Sequence, residues 1–101
     1  MRMLLSVTFP HEPFNTAVRK GTAGETIDKI LQAAKPEAAY FTEQDGHRGA
    51  LLIVNVEHPW QVPALAEPWF LHFQADCKFR IVMTPEDLQR AGLVELGKQW
   101  G

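Results

Sequence analysis

The dipeptide Asp45-Gly46, set between two runs of strand-forming residues, constrains the fold of this chain more than any other feature. Both residues tolerate positive φ, which a two-residue type I′ turn requires, so Ala38 to Gln44 and His47 to Val56 are predicted to pair as a hairpin. With the turn fixed, the register counts outward: Gln44 faces His47, Glu43 faces Arg48, Phe41 faces Ala50 and Tyr40 faces Leu51. Glu43 and Arg48 then form a cross-strand ion pair, which contributes at most ~1 kcal/mol when exposed and serves mainly to hold the register.

The same register sorts the hairpin into two faces. One carries Ala39, Phe41, Ala50, Leu52, Val54 and Val56; the other carries Tyr40, Thr42, Leu51, Ile53 and Asn55. Both are largely apolar. Ala50-Leu51-Leu52-Ile53-Val54 is a continuous apolar run, the pattern of a strand covered on both sides, whereas a strand with one wet face alternates. Helices from one chain cover one face of a small sheet. The other face therefore predicts a partner subunit, most simply by sheet-on-sheet packing in a twofold homodimer.

The flanking segments complete a β-α-β-β-α-β order. Met1 to Phe9 is rich in Leu, Val, Thr and Phe and stops at Pro10, as a strand does. Pro10 to Gly21, with two prolines and no clean period, reads as a long loop. Thr22-Ala23-Gly24-Glu25 has the capping-box form that opens a helix, with Ile27, Ile30, Leu31 and Ala34 on its apolar stripe and Pro36 ending it. His58-Pro59 opens a second helical stretch bearing Val62, Leu65, Ala66, Trp69, Phe70 and Phe73, where Pro63 and Pro68 predict two short pieces with a break before Pro68. Cys77 to Met83 alternates and carries charge, as an edge strand does. Thr84-Pro85-Glu86-Asp87 starts a short helix to Ala91, and Gly92 caps it. The tail from 92 to 101 holds Leu93, Val94, Leu96 and Trp100. It is too apolar to float free, and is expected to dock on the same chain or its partner.

Composition narrows the class. With 101 residues, 46% apolar and 22% charged, the chain reads as one globular domain of residues 1–101, with its core in 1–91. A net charge of −2 without any strongly basic stretch leaves no footprint for nucleic acid or anionic lipid. No apolar run approaches the ~20 residues of a membrane span. The one cysteine, Cys77, makes no internal disulfide and fits a reducing compartment, so a cytoplasmic location is expected.

The chemistry-bearing residues form no set that dictates a reaction. His11, His47, His58 and His72 lack the spacing of a helical metal pair, so no metal site is expected. Ser6, the single serine, falls inside a strand without a nucleophile elbow. The element order is also that of an RNA-recognition motif, and Arg48-Gly49 begins like its signature. Ala50 to Ile53 then stand where stacking aromatics belong, which excludes that reading. The aromatic cluster Trp60, Trp69, Phe70 and Phe73 reads either as core, packing the second helix on the sheet, or as the wall of a pocket between helix and sheet beside Trp69, which would draw its polar groups from Tyr40, Asn55, His72, Arg80 and the long-loop residues His11, Asn15 and Arg19. A cationic Arg80 inside a covered sheet calls for an anionic neighbour or a carboxylate ligand.

With this strand order, the two-sided apolar hairpin and the stretch from Pro63 to Phe73, the chain resembles the ferredoxin-like dimeric α+β barrel superfamily, and within it one of the small bacterial families. The resemblance spans Met1 to Ala91 and rests on architecture. It implies an α+β fold, with a four-stranded antiparallel sheet, helices on one face, and two sheets facing each other in the dimer. A cleft between sheet and helices can hold a small molecule in that superfamily, whose members include cofactor-independent monooxygenases, haem-degrading enzymes and lactone isomerases. No catalytic motif of those branches maps onto this chain, although His72 falls near the position of an axial haem histidine, and no cofactor is expected. The resulting expectation is a homodimeric small-molecule-binding protein, either an enzyme on an aromatic or organic-acid substrate or a binding module. The other expectation is a structural or regulatory protein-interaction module without catalysis.

Overall fold

The computed structural model describes residues 1–101. Four strands, β1 (Arg2–Phe9), β2 (Ala38–Gln44), β3 (His47–Asn55) and β4 (Asp76–Ile81), form one antiparallel sheet in the order β2-β3-β1-β4. Helices α1 (His11–Lys20) and α2 (Ala23–Ala34) connect β1 to β2, and α3 (Val62–Phe73) connects β3 to β4. The class is α+β in a ferredoxin-like arrangement. Helices α4 (Pro85–Arg90) and α5 (Leu93–Trp100) follow the last strand.

The hairpin has the register counted from its turn, and Asp45 and Gly46 both have positive φ, 51° and 81°. The Glu43–Arg48 ion pair does not form. Glu43 turns back and accepts the Gly46 backbone N–H, while Arg48 donates to Asn15 Oδ1 at 2.8 Å and lies over the Phe14 ring. Each charge takes another partner, and the register is kept without their ion pair.

Residues 10–21 are a helix and a cap rather than a loop. Pro10 and Pro13 sit before and inside its first turn, where a missing N–H costs nothing. Glu12 is extended, and its carboxylate accepts the Thr16 N–H at 2.8 Å and the Thr16 hydroxyl at 2.7 Å. These hydrogen bonds hold the Glu12 carboxyl below its ordinary pKa. At the other end Gly21 adopts φ 74°, with Gly21 N–H donating to Val18 and Thr22 N–H to Ala17. That is a Schellman motif. It also explains why the Thr22 capping box is not made: the Thr22 amide and hydroxyl are both engaged by the Ala17 carbonyl. Helix α2 still starts at Ala23 and points Ile27, Ile30 and Leu31 inward.

Helix α3 runs unbroken through Pro68, against the expected break. Proline there leaves the Ala64 carbonyl without its helical donor. Ala64 is exposed, so water can satisfy that carbonyl. Pro63 lies in the first turn, preceded by a 3₁₀ turn over Pro59–Gln61.

One face of the sheet is covered by α1, α2 and α3. Leu5, Val7, Phe9, Ala50, Leu52 and Val54 from the strands meet Phe14, Ile30, Trp69 and Phe73 from the helices, and the first six are at most 1% exposed. Phe9, Phe14, Trp69 and Phe73 pack with their ring centroids 4.9 to 6.3 Å apart. Burial at this density gives ~1.5–3 kcal/mol per large side chain. The opposite face has no helix over it. There the register sets Leu4, Ser6 and Thr8 beside Ile53, Leu51 and Gly49, with Lys78 and Arg80 at the β4 edge.

The C-terminal arm departs most from a compact body. The tail expected to dock forms α5, and neither α4 nor α5 makes extensive contact with the rest of the chain. The molecule measures 59 × 28 × 19 Å, with a radius of gyration of 17.0 Å. A compact domain of this length has about 13 Å.

Candidate functional site

The eight residues expected to converge on one pocket are scattered over the molecule. His11 and Asn15 lie at the start of α1 beside the hairpin tip. Trp69 is in the solid core at 0% exposure, with its indole Nε1–H facing no protein acceptor. Tyr40 and Arg80 stand on the open face of the sheet, where Arg80 is exposed and needs no buried counterion. Asn55 ends β3, and its Oδ1 lies 3.3 Å from the Met1 nitrogen. Arg19 and His72 are exposed on α1 and α3. His72 borders a shallow hollow of about 220 Å³ with Thr16, Lys20 and Thr26.

Two concavities flank the covered core, one at each end of β1. At the hairpin end the His11 and His47 rings stack, with centroids 4.5 Å apart and planes 23° apart. Phe41, Thr42, Glu43 and Arg48 complete an open polar depression there. Arg48 is held on two sides, by Asn15 Oδ1 and by the Phe14 ring 4.4 Å away, so its guanidinium orients that mouth. His47 and Arg48 were not among the expected site residues. The register had assigned one to the turn and the other to an ion pair, and nothing in a linear reading brings α1 over the hairpin tip.

At the opposite end, where β1 starts and β3 ends, Met1, Met3, Val56, Pro59 and Val62 line an apolar groove of about 580 Å³. Glu57 and His58 are its titratable side chains. The sequence places the groove there because Val56 ends the apolar run of β3 and His58-Pro59 turns the chain into α3. The Gln61 side chain fixes that corner by accepting the Glu57 N–H at 2.7 Å and the His58 N–H at 3.0 Å. His58 stacks on Trp60 with centroids 4.3 Å apart and planes 7° apart. The volume falls in the range of small-molecule sites, ~300–1,000 Å³, and apolar walls with few polar groups are their usual chemistry.

No three His, Cys, Asp or Glu side chains converge where they could hold a metal ion. No helix is long and apolar enough to cross a membrane. Cys77, on the covered face at the β4 edge, has its thiol pushed up to about 11 by burial and then by Asp76.

No protein-family model matches the chain, and no curated protein matches it. Among solved structures, the de novo designed protein Ferredog-Diesel is similar over 80% of this chain and 85% of its own, with 12% identity and a TM-score of 0.48. A likeness at that level carries no argument about fold or function.

Proposed function

We propose that the protein is a homodimer built through the open face of its sheet, with the groove at the start of β1 binding a small apolar or aromatic molecule, as in the dimeric α+β barrel superfamily that the sequence resembles. The observation that carries this reading is the uncovered face itself. Leu4, Leu51 and Ile53 form a half-buried apolar strip there, flanked by Tyr40 at 66% exposure. Single exposed apolar residues are ordinary, whereas a contiguous strip on a central pair of strands is the signature of a face that meets another. In the groove, Met1, Met3 and Val62 supply contact area, and His58 supplies the polar group that orients a ligand. The stacked Trp60 makes ligand entry visible.

Sedimentation velocity of the full chain at micromolar concentration tests the first half, and a clean folded monomer rejects it. For the second half, titration with small aromatic acids and hydrocarbons should quench or shift Trp60 emission, and His58→Ala should abolish the change. Emission unmoved by every probe removes the groove from consideration. The projecting C-terminal arm favours the second reading, a protein-interaction module without catalysis, because its apolar surface is suited to protein contact.

A further inference from the structure

Resting on the sheet-face dimer just proposed, we infer that α4 and α5 form an exchanged arm that clasps a second copy of this chain. Helix α5 is amphipathic: Leu93, Leu96 and Trp100 recur at i, i+3 and i+7 on one side with Gly97 among them, while Glu95 and Lys98 lie opposite. All of its apolar residues are exposed, Val94 at 73% and Trp100 at 79%. Between α4 and α5 lies a second apolar hollow, of about 500 Å³, lined by Pro85, Leu88, Leu93 and Val94. The arm is well formed with little contact to its own body. Thr84 and Asp87 make a reciprocal capping box, each backbone N–H donating to the other side chain at 3.1 Å. Gly92, at φ 71°, sets the angle between the helices.

The area argues for a second copy as the occupant. A compact monomer of this mass, 11.4 kDa, exposes about 5,800 Å², so the observed 7173 Å² leaves roughly 1,400 Å² in excess. A stable interface buries about 800 Å² per partner, so the excess surface suffices for one subunit's share. The arm also emerges at the border of the open face. The chain leaves β4 beside Arg2, whose carbonyl accepts the Val82 N–H at 3.2 Å, and Arg2 is near enough to Asp87 to help hold that carboxyl below its ordinary pKa. The arm therefore continues the proposed sheet interface outward. A membrane is a poorer occupant, because Glu95 and Lys98 cancel on the polar side of α5 and leave no attraction to anionic lipid.

Sedimentation equilibrium on the full chain and on two sets of variants tests this. Leu93→Lys with Leu96→Lys alters the arm, while Leu51→Lys and, separately, the more exposed Tyr40→Lys alter the sheet face. Far-UV circular dichroism confirms that each folds. The arm variant is expected to weaken self-association at least 10-fold. Trp100 emission, in a Trp60→Phe background, should shift to the blue as protein concentration rises. If the arm variant associates like the parent while the sheet variants do not, the clasp is wrong and the sheet dimer stands. If the arm variant dissociates while both sheet variants remain dimers, the sheet interface is wrong and the clasp stands. A parent chain that stays monomeric overturns both. A Trp100 blue shift produced by phosphatidylcholine vesicles but not by protein concentration overturns the clasp alone.

Discussion

The two faces of this sheet are built from the same strands by alternate residues, yet they differ in almost every physical respect. Along β1, Leu5, Val7 and Phe9 are sealed under helices, while Leu4, Ser6 and Thr8 are half-buried on the other side. No polar or charged residue is buried on the covered face; Arg48, half-buried under α1, and the thiol of Cys77 lie toward its margins. The open face mixes an apolar strip at one end with a hydrogen-bonded network at the other. Gln44 on β2 reaches across β3 to β1, donating to Ser6 Oγ at 3.0 Å and accepting from the Thr8 hydroxyl. One face is a core fixed by packing. The other keeps its geometry through directional bonds.

The largest effect expected is at the centre of the covered face. Trp69→Ala should cost ~3–5 kcal/mol of folding stability, from lost burial and the cavity left behind. Trp69→Phe should cost much less than its lost volume alone suggests. It deletes an indole N–H that has no protein acceptor, and a buried unsatisfied donor carries a penalty of ~1–3 kcal/mol. Urea unfolding of the three proteins measures both. Equal losses for Ala and Phe would mean that the N–H is satisfied and the face less dry than described.

How much of this was legible in the sequence follows from range. The type I′ turn, the hairpin register, the inward stripe of α2 and the Thr84 cap depend on residues within one turn or one ladder, and all of them hold. Where a residue had two partners to choose from, the linear reading failed. Thr22 capped the preceding helix rather than its own, and Arg48 turned to Asn15 and Phe14, brought over it by a helix that the prolines at 10 and 13 disguised as a loop. The candidate site suffered most, because seven polar residues chosen for their chemistry, and Trp69 beside them, had no common element to gather them. The apolar groove at Met1, Met3 and Val62 has no motif and appears only when both strand ends meet the start of α3.

A smaller effect separates packing from bonding on the open face. A Cβ at Gly49 would lie 2.9 Å from Gln44 Cγ and 3.1 Å from Cδ, so Gly49 is the saddle over which Gln44 crosses β3. Its role is close approach, since its φ is not in the left-handed region. Gly49→Ala should displace Gln44 and break both of its bonds, at ~1–2 kcal/mol. In a double-mutant cycle with Gln44→Ala, the two losses should not add, because either change removes the same bridge. Additive losses would show that Gln44 is free to bend around the new methyl and that the open face is softer than its hydrogen bonds imply.

The smallest effect is kinetic and tests whether the covered face is closed at its edge. Cys77 and Lys78 are neighbours on β4 that point to opposite faces, and only Cys77 is packed against the core. A thiol raised from 9.0 to about 11 has about 100-fold less thiolate at neutral pH, and the thiolate is the nucleophile. The natural cysteine should therefore react with a disulfide reagent far more slowly than a cysteine placed one residue later by Lys78→Cys in a Cys77→Ala background. The rate for Cys77 should keep rising with pH well beyond 9, whereas the open-face cysteine should level off near its ordinary pKa. If the two rates and their pH profiles coincide, β4 peels from α3 often enough to wet both sides of the strand, and the contrast between the faces ends before the sheet edge.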